Sequence, residues 1–250
     1  TFMYASEIKS LLRHPDFVKE LNAEALKPYM TFQYPAIGET FFKGVYKLPE
    51  GHYFTYRDGK MDIHRYYDED FREGKQKLGE LVNSIDQTVC DSVKAHQIAD
   101  VEVGSFLSSG VDSSYVAAVA RPQHTYSIGF GKGTYNESQQ AGELAELLKL
   151  NNTAESLTDE EAFAAFPRIQ WHLDEPDSNP SCVPLYFLSA LAAKDVKVVL
   201  SGEGADELFA GYIDYGVHTK FKPIKVVTRW LTHLPAGARK AIARFCKGKT

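Results

Sequence analysis

At 250 residues the chain is long enough for one large or two small domains, with enough apolar residues to form a core without disulfide or metal staples. Its 44% hydrophobic and 24% charged residues are those of a soluble globular protein, and no apolar run approaches the roughly 18 residues of a membrane-spanning helix. The net charge of −5 is unevenly spread: residues 217–250 hold nine Lys/Arg and no Asp/Glu, while residues 1–216 hold 19 basic against 33 acidic residues.

The opening Thr1-Phe2-Met3-Tyr4-Ala5-Ser6-Glu7 has neither a basic n-region nor an apolar h-region, so nothing marks it for secretion. Cys90, Cys182 and Cys246 are odd in number, far apart and free of CxxC pairing. Reduced thiols in the cytoplasm are expected, with no structural zinc, and Cys182, before an apolar helix, reads as packing. A short helical pattern covers Ala5–Leu12, and Asn22 can cap another turn or two from Ala23 until Pro28 interrupts. Phe41–Tyr56 reads as extended around the turn signal Leu48-Pro49-Glu50-Gly51. The aromatics here (Tyr29, Phe32, Tyr34, Phe41, Phe42, Tyr46, Tyr53, Phe54, Tyr56) lack interleaved Arg/Lys clusters, so they read as core and interface packing rather than a nucleic-acid stacking platform.

From about Glu69 to Gln97, Leu78, Leu81, Val82, Ile85, Val89 and Val93 recur at helical spacing and open a new domain. A strand follows at 101–107, then helix 113–120 with Ser113 or Ser114 as candidate cap, strand His124–Phe130, helix Glu137–Leu148 and an extended piece at Asn152–Leu157. Next come a helical stretch Asp159–His172 that Pro167 threatens to break, helix Val183–Lys194 and strand Val196–Leu200. This alternation predicts an α/β fold: a mainly parallel sheet with helices on both faces, behind a β-rich N-terminal portion. In the basic tail, Ile224, Val227, Trp230, Leu231 and Leu234 follow near-helical spacing. An amphipathic helix with a solvated basic face accounts for the charge without nucleic acid.

In an open parallel sheet, ligands bind beyond the carboxyl ends of the strands. Two strands here end in related loops, Ser108-Ser109-Gly110-Val111-Asp112 and Ser201-Gly202-Glu203-Gly204-Ala205-Asp206-Glu207, each with Ser and Gly followed by Asp near a helix start. A Ser/Gly turn entering a helix aims backbone N–H groups and the positive end of the helix dipole at one spot, which suits phosphate. Carboxylates facing phosphate imply a divalent cation between them, which makes Asp112 and Asp206 candidate Mg²⁺ ligands. Two other nucleotide signatures fail: Gly202-x-Gly204-x-x-Glu207 has Glu at the third glycine of a dinucleotide fingerprint, and Gly248-Lys249-Thr250 lacks the earlier Walker glycine, replaced by Ala243.

Ser108-Ser109-Gly110-Val111-Asp112-Ser113 resembles the PP-loop, SGGxDS, of ATP pyrophosphatases. Asp174-Glu175-Pro176, followed by Ser201-Gly202-Glu203-Gly204-Ala205-Asp206-Glu207-Leu208-Phe209-Ala210-Gly211-Tyr212, resembles asparagine synthetases of the glutamine-hydrolysing kind. Tyr4–Leu12 is similar to a stretch late in that family's amidotransferase domain, and Leu48-Pro49-Glu50-Gly51-His52-Tyr53 to its approach to the synthetase domain. The resemblance runs to about Tyr212. It implies two parts: residues 1–68, the end of a glutaminase domain with its linker, and residues 69–250, the first part of a synthetase domain.

The resemblance further implies ATP-dependent amidation of aspartate through a β-aspartyl-AMP intermediate, with ammonia from glutamine and with ATP and Mg²⁺ required. Ser108, Ser109, Gly110 and Ser113 would cradle pyrophosphate, and Asp112 and Asp206 would hold Mg²⁺. Leu107 and Ile128 would flank the adenosine, Ser201 and Gly202 would touch it through backbone, and Glu203 would serve as acid/base. Neither a nucleic acid nor a membrane is an expected partner; a homo-oligomer is left open. The chain departs from the family in three ways: Ser109 replaces a glycine, no N-terminal cysteine nucleophile is matched, and the family's distal helical part with a catalytic lysine is not matched. The piece is therefore expected neither to hydrolyse glutamine nor to make asparagine efficiently. Two alternatives are a β-lactam synthetase-like relative acting on another carboxylate and a non-catalytic nucleotide-binding module.

Overall fold

The computed structural model describes residues 1–34, 36–70, 74–130, 137–213 and 215. The chain divides into two compact units, Thr1–Leu200 and Ser201–Thr250. The expected amphipathic helix of the basic tail, Gly248-Lys249-Thr250 and Cys246 lie outside the described residues.

The first unit opens with α1 (Ile8–Leu11), shorter than the pattern from Ala5 to Leu12 suggests. Asn22 caps a 3-10 turn at Ala23–Ala25 by accepting the Glu24 N–H, as expected. Pro28 does not interrupt the next helix, since α2 runs Leu26–Phe32 straight through it. Pro28 falls in the first turn, where an N–H has no intrahelical acceptor to lose.

The extended reading of 41–56 holds for residues 52–56 and is corrected for 41–51. Residues 41–51 form only isolated bridges, Leu21 with Phe42 and Glu39 with Tyr46. The strands are β1 (His52–Arg57) and β2 (Lys60–Arg65), an antiparallel hairpin with Arg57 opposite Lys60. Asp58 and Gly59, both left-handed at φ 52° and 75°, make its two-residue turn, the pairing that matches the twist of a hairpin. The turn signal at Gly51 is borne out by φ 68°, and a Cβ there would strike the Tyr67 carbonyl. Of the nine aromatics read as packing, Phe41 is buried, while Phe32, Tyr34, Tyr46, Tyr53 and Tyr56 are exposed. Phe2 stacks on Tyr56 at 4.1 Å and Tyr53 on His64 at 5.1 Å.

The α/β part begins with α3 (Leu78–His96), later than the predicted start near Glu69. Glu80 accepts the Lys77 N–H and fixes that start. Leu78, Leu81 and Val82 are exposed, and the buried stripe is confined to the half ending at Val93. Then come β3 (Val103–Phe106), α4 (Val111–Ala120), β4 (His124–Phe130), α5 (Glu137–Leu148), β5 (Asn151–Leu157), α6 (Asp159–Leu173), α7 (Cys182–Ala192) and β6 (Val198–Leu200). The four strands β5-β4-β3-β6 are all parallel, in that order. The predicted α/β architecture holds, and Pro167 leaves α6 unbroken. It sits on the solvent side of the helix, where the carbonyl that its ring displaces can turn to water.

Helices cover both faces. On one, Leu107 packs with Ala117 of α4 and Ala141 and Ala145 of α5. On the other, Tyr126 packs with Leu191 and Ala192 of α7 and with Val196, flanked by Phe106, Ile128 and Val199. The side-chain alternation of the strands puts Phe106 and Leu107 into different clusters. Among the described residues, no helix is long and apolar enough to cross a membrane.

Candidate functional site

The loop between β3 and α4 is rooted in the sheet. Leu107 N–H donates to the Tyr126 carbonyl at 2.9 Å, and the Leu107 carbonyl accepts the buried Ser127 hydroxyl at 2.7 Å. Beneath it, the Asn152 side-chain oxygen faces the hydroxyls of both Thr125 and Ser127, at 3.0 and 3.1 Å. Buried hydroxyls are costly without partners, and every one in this layer has them.

The loop closes on itself through two serines. Gly110 N–H donates to Ser108 Oγ at 3.1 Å, the Ser108 and Ser113 hydroxyls lie 2.8 Å apart, and Ser113 Oγ also accepts the Ser108 N–H at 3.1 Å. Because Ser108 Oγ already accepts from Gly110, its proton is available to Ser113. Ser113 in turn points its own proton toward the Gly110 carbonyl, 3.3 Å away. The expected cap is corrected: Gly110, not Ser113 or Ser114, is the N-cap of α4, with extended backbone at φ −71°, ψ 150°. Ser113 stands at the third helical position and braces the loop, while Ser114 Oγ returns a bond to the Gly110 carbonyl at 2.6 Å.

This arrangement leaves the first N–H groups of α4, at Val111, Asp112 and Ser113, without an intrahelical acceptor and with no side-chain cap. Asp112 is exposed at the second helical position. Ser109 is exposed and is not among the residues with positive φ, so serine replaces the motif's glycine there without left-handed strain. These N–H groups, the hydroxyl pair and the helix dipole fit a polyphosphate. Leu107 is buried among α4 and α5, and Ile128 belongs to the cluster under α7.

In the second unit, α8 (Ala205–Phe209) repeats the pattern on a smaller scale. Gly204, left-handed at φ 90°, is the N-cap, and Asp206 holds the second helical position, as Asp112 does in α4. Glu203 is exposed, its N–H donating to Ser201 Oγ at 3.4 Å, and the Gly202 carbonyl accepts from Ala205. The chain then returns so that Gly211 N–H donates to the Asp206 carbonyl at 2.9 Å, and a Cβ on Gly211 would collide with the Asp206 carboxylate. Tyr212 donates its hydroxyl to Glu207 at 2.6 Å. That bond pushes the tyrosine up to about 12 and holds the glutamate below the usual carboxylate range. Among the described residues, no group of three or more His, Cys, Asp or Glu gathers as a metal cage.

Sequence reasoning missed the supports. Ser127 and Asn152 carry no motif, and their only signal is a polar residue at a strand position otherwise reading as core. Gly211 was legible only as a glycine after a helix. Cys182 is buried with its thiol pushed up by burial, in keeping with packing.

The family model described as "Asparagine synthase" matches residues 84–244, and that described as "Glutamine amidotransferase domain" matches residues 1–67. The chain is 37% identical over 244 residues to asparagine synthetase (glutamine-hydrolyzing) 1 of Bacillus subtilis, an alignment covering 96% of this chain and 37% of the relative. It is 35% identical over 263 residues to a putative asparagine synthetase (glutamine-hydrolyzing) of Mycobacterium tuberculosis, covering 98% of this chain and 40% of the relative. The chain thus spans about two fifths or less of the length of these relatives. Among solved structures, an NMN synthetase from Francisella tularensis aligns with a TM-score of 0.37 at 22% identity, over 56% of this chain and 60% of that one. With one family model covering more than half of its residues, in the region that holds both loops, the chain belongs to the asparagine synthase family.

Proposed function

We propose that this chain carries the nucleotide-handling part of a glutamine-dependent asparagine synthetase, with the boundary between its amidotransferase and synthetase parts at residues 68–69. The reaction is the ATP-dependent amidation of aspartate. A carboxylate is a poor electrophile, and transfer of AMP to the aspartate side chain, with loss of pyrophosphate, supplies a leaving group that ammonia from glutamine then displaces. Ser108, Ser109, Gly110 and Ser113 hold the departing pyrophosphate, and the strand ends at Leu107 and Ile128, rather than their side chains on opposite sheet faces, flank the adenosine. Ser201 and Gly202 contact it through backbone. Glu203 is the acid/base group that relieves the attacking ammonia of its proton. Asp112 and Asp206 are the carboxylates for Mg²⁺, which supplies charge neutralisation at the phosphates.

The observation that carries this reading is the Ser108–Ser113 hydroxyl pair at the uncapped start of α4, beside Asp112. The names of the relatives support aspartate and glutamine as substrates, and the free thiols of Cys90 and Cys182 support a cytoplasmic setting. The test is pyrophosphate release from ATP by the full-length protein. Release that depends on aspartate, and is lost with Asp112→Ala, is expected. Equal release with other carboxylic acids, or none with aspartate, would overturn the assignment.

A further inference from the structure

Asp174 and Glu175 belong to one of the motifs that carry the family resemblance, and both carboxylates are committed to contacts with residues far earlier in the chain. Asp174 ends α6 in an unusual backbone conformation, φ 64°, ψ −32°, in a region costly for any residue but glycine. In that conformation its carboxylate receives the Ile8 N–H at 2.7 Å and the Lys9 N–H at 3.2 Å, so it caps α1 from outside, and it pairs with Lys9 Nζ at 3.0 Å. Lys9 Nζ also donates to the carbonyl of His172 in the last turn of α6. Glu175 is buried, with its side chain 8% exposed, accepts the Phe41 N–H at 3.0 Å and pairs with Lys47. Gln170 holds the loop after α6 through paired bonds with the Asp177 backbone, at 3.0 and 3.1 Å, so the two carboxylates sit on a braced segment.

Ile8, Lys9, Phe41 and Lys47, the partners of the two carboxylates, all lie within residues 1–67, the stretch that matches the amidotransferase model, while Asp174 and Glu175 lie within residues 84–244. We propose that Asp174 and Glu175 are positioning residues that lock the amidotransferase segment onto the synthetase part and so couple glutamine-derived ammonia to the amidation, without touching the reacting atoms. This rests on the function proposed above. Two adjacent carboxylates grip two separate points of that segment, α1 and the Phe41–Lys47 turn. Together these contacts fix its orientation, which a single bridge would not.

The experiment uses the full-length protein and compares asparagine formation from glutamine with formation from ammonium salts, both with ATP and aspartate. Asp174→Asn removes the charge, and Lys9→Met and Lys47→Met break each bridge from the other side without altering the synthetase part. Loss of a charged hydrogen bond of this kind is expected to lower glutamine-dependent synthesis about tenfold. Ammonium-dependent synthesis should stay within about twofold, because that rate needs only the synthetase chemistry. Retained ammonium-dependent synthesis also establishes that a variant is folded. Equal loss with both nitrogen sources, or no loss with either, would overturn the coupling role. A wild-type protein that makes no asparagine from either source would instead overturn the underlying function.

Discussion

The hydroxyls of Ser108 and Ser113 lie 2.8 Å apart across the mouth of α4, and the Ser113 oxygen also receives the Ser108 N–H. Ser113 is therefore the keystone of the loop. Ser113→Ala removes both bonds, the bond to the Gly110 carbonyl, and with them the brace that holds the loop at the start of α4. It should cost about 1 kcal/mol of stability, read as a fall in the urea midpoint, and weaken MgATP binding about tenfold or more, since a hydrogen bond to a charged group is worth about 1.5–3 kcal/mol. Unchanged MgATP affinity would remove the loop from the nucleotide site.

Gly211 lies against Asp206 so closely that any side chain would strike the carboxylate. Gly211→Ala must move the Asp206 carboxylate or the chain turn that carries it. With Asp206 as a metal carboxylate, the Mg²⁺ concentration for half-maximal pyrophosphate release should rise about tenfold. A variant with the wild-type Mg²⁺ requirement would show that Asp206 does not serve the metal.

The range of the forces involved decides how much of the molecule was legible in its sequence. Strand His124–Phe130 and helix Glu137–Leu148 stand where their periodicity puts them, because local pattern and burial agree. The loop between β3 and α4 was legible for the same reason: Ser, Gly and Asp act on their own backbone within a few residues. The hairpin was also locally encoded, in Asp58-Gly59, but the turn signal at Pro49-Glu50-Gly51 extended the strand reading to residues before it, which form only isolated bridges. Pro28 and Pro167 read as breaks because a proline's effect depends on which helical position and which face it occupies. The partners of Asp174 and Glu175 lie 166 and 134 residues away, a distance across which no spacing rule operates.

Ser127 fixes the root of the loop by donating to the Leu107 carbonyl from a fully buried site. Ser127→Ala strands that carbonyl's partner site and leaves the Asn152 oxygen with Thr125 alone, so it should lose about 1–3 kcal/mol of stability in urea unfolding. The loop above then loses its anchor, and MgATP affinity should fall with it. Stability lowered with affinity intact would confine Ser127 to the sheet.

Tyr126 links pH to the integrity of the sheet. Its ring is fully buried under α7, and its hydroxyl donates to Asp195 at 3.2 Å. Burial first, and the Asp195 carboxylate second, push the phenol up to about 12 from its ordinary value near 10. The folded state thus binds the phenolic proton more tightly than the unfolded chain does. Its contribution is fully present below pH of about 10 and is lost as pH rises through about 12. Unfolding midpoints should decline across that window in the wild type, and Tyr126→Phe, which has no proton to lose, should show a shallower decline. Parallel declines in the two proteins would mean that other groups carry the alkaline loss.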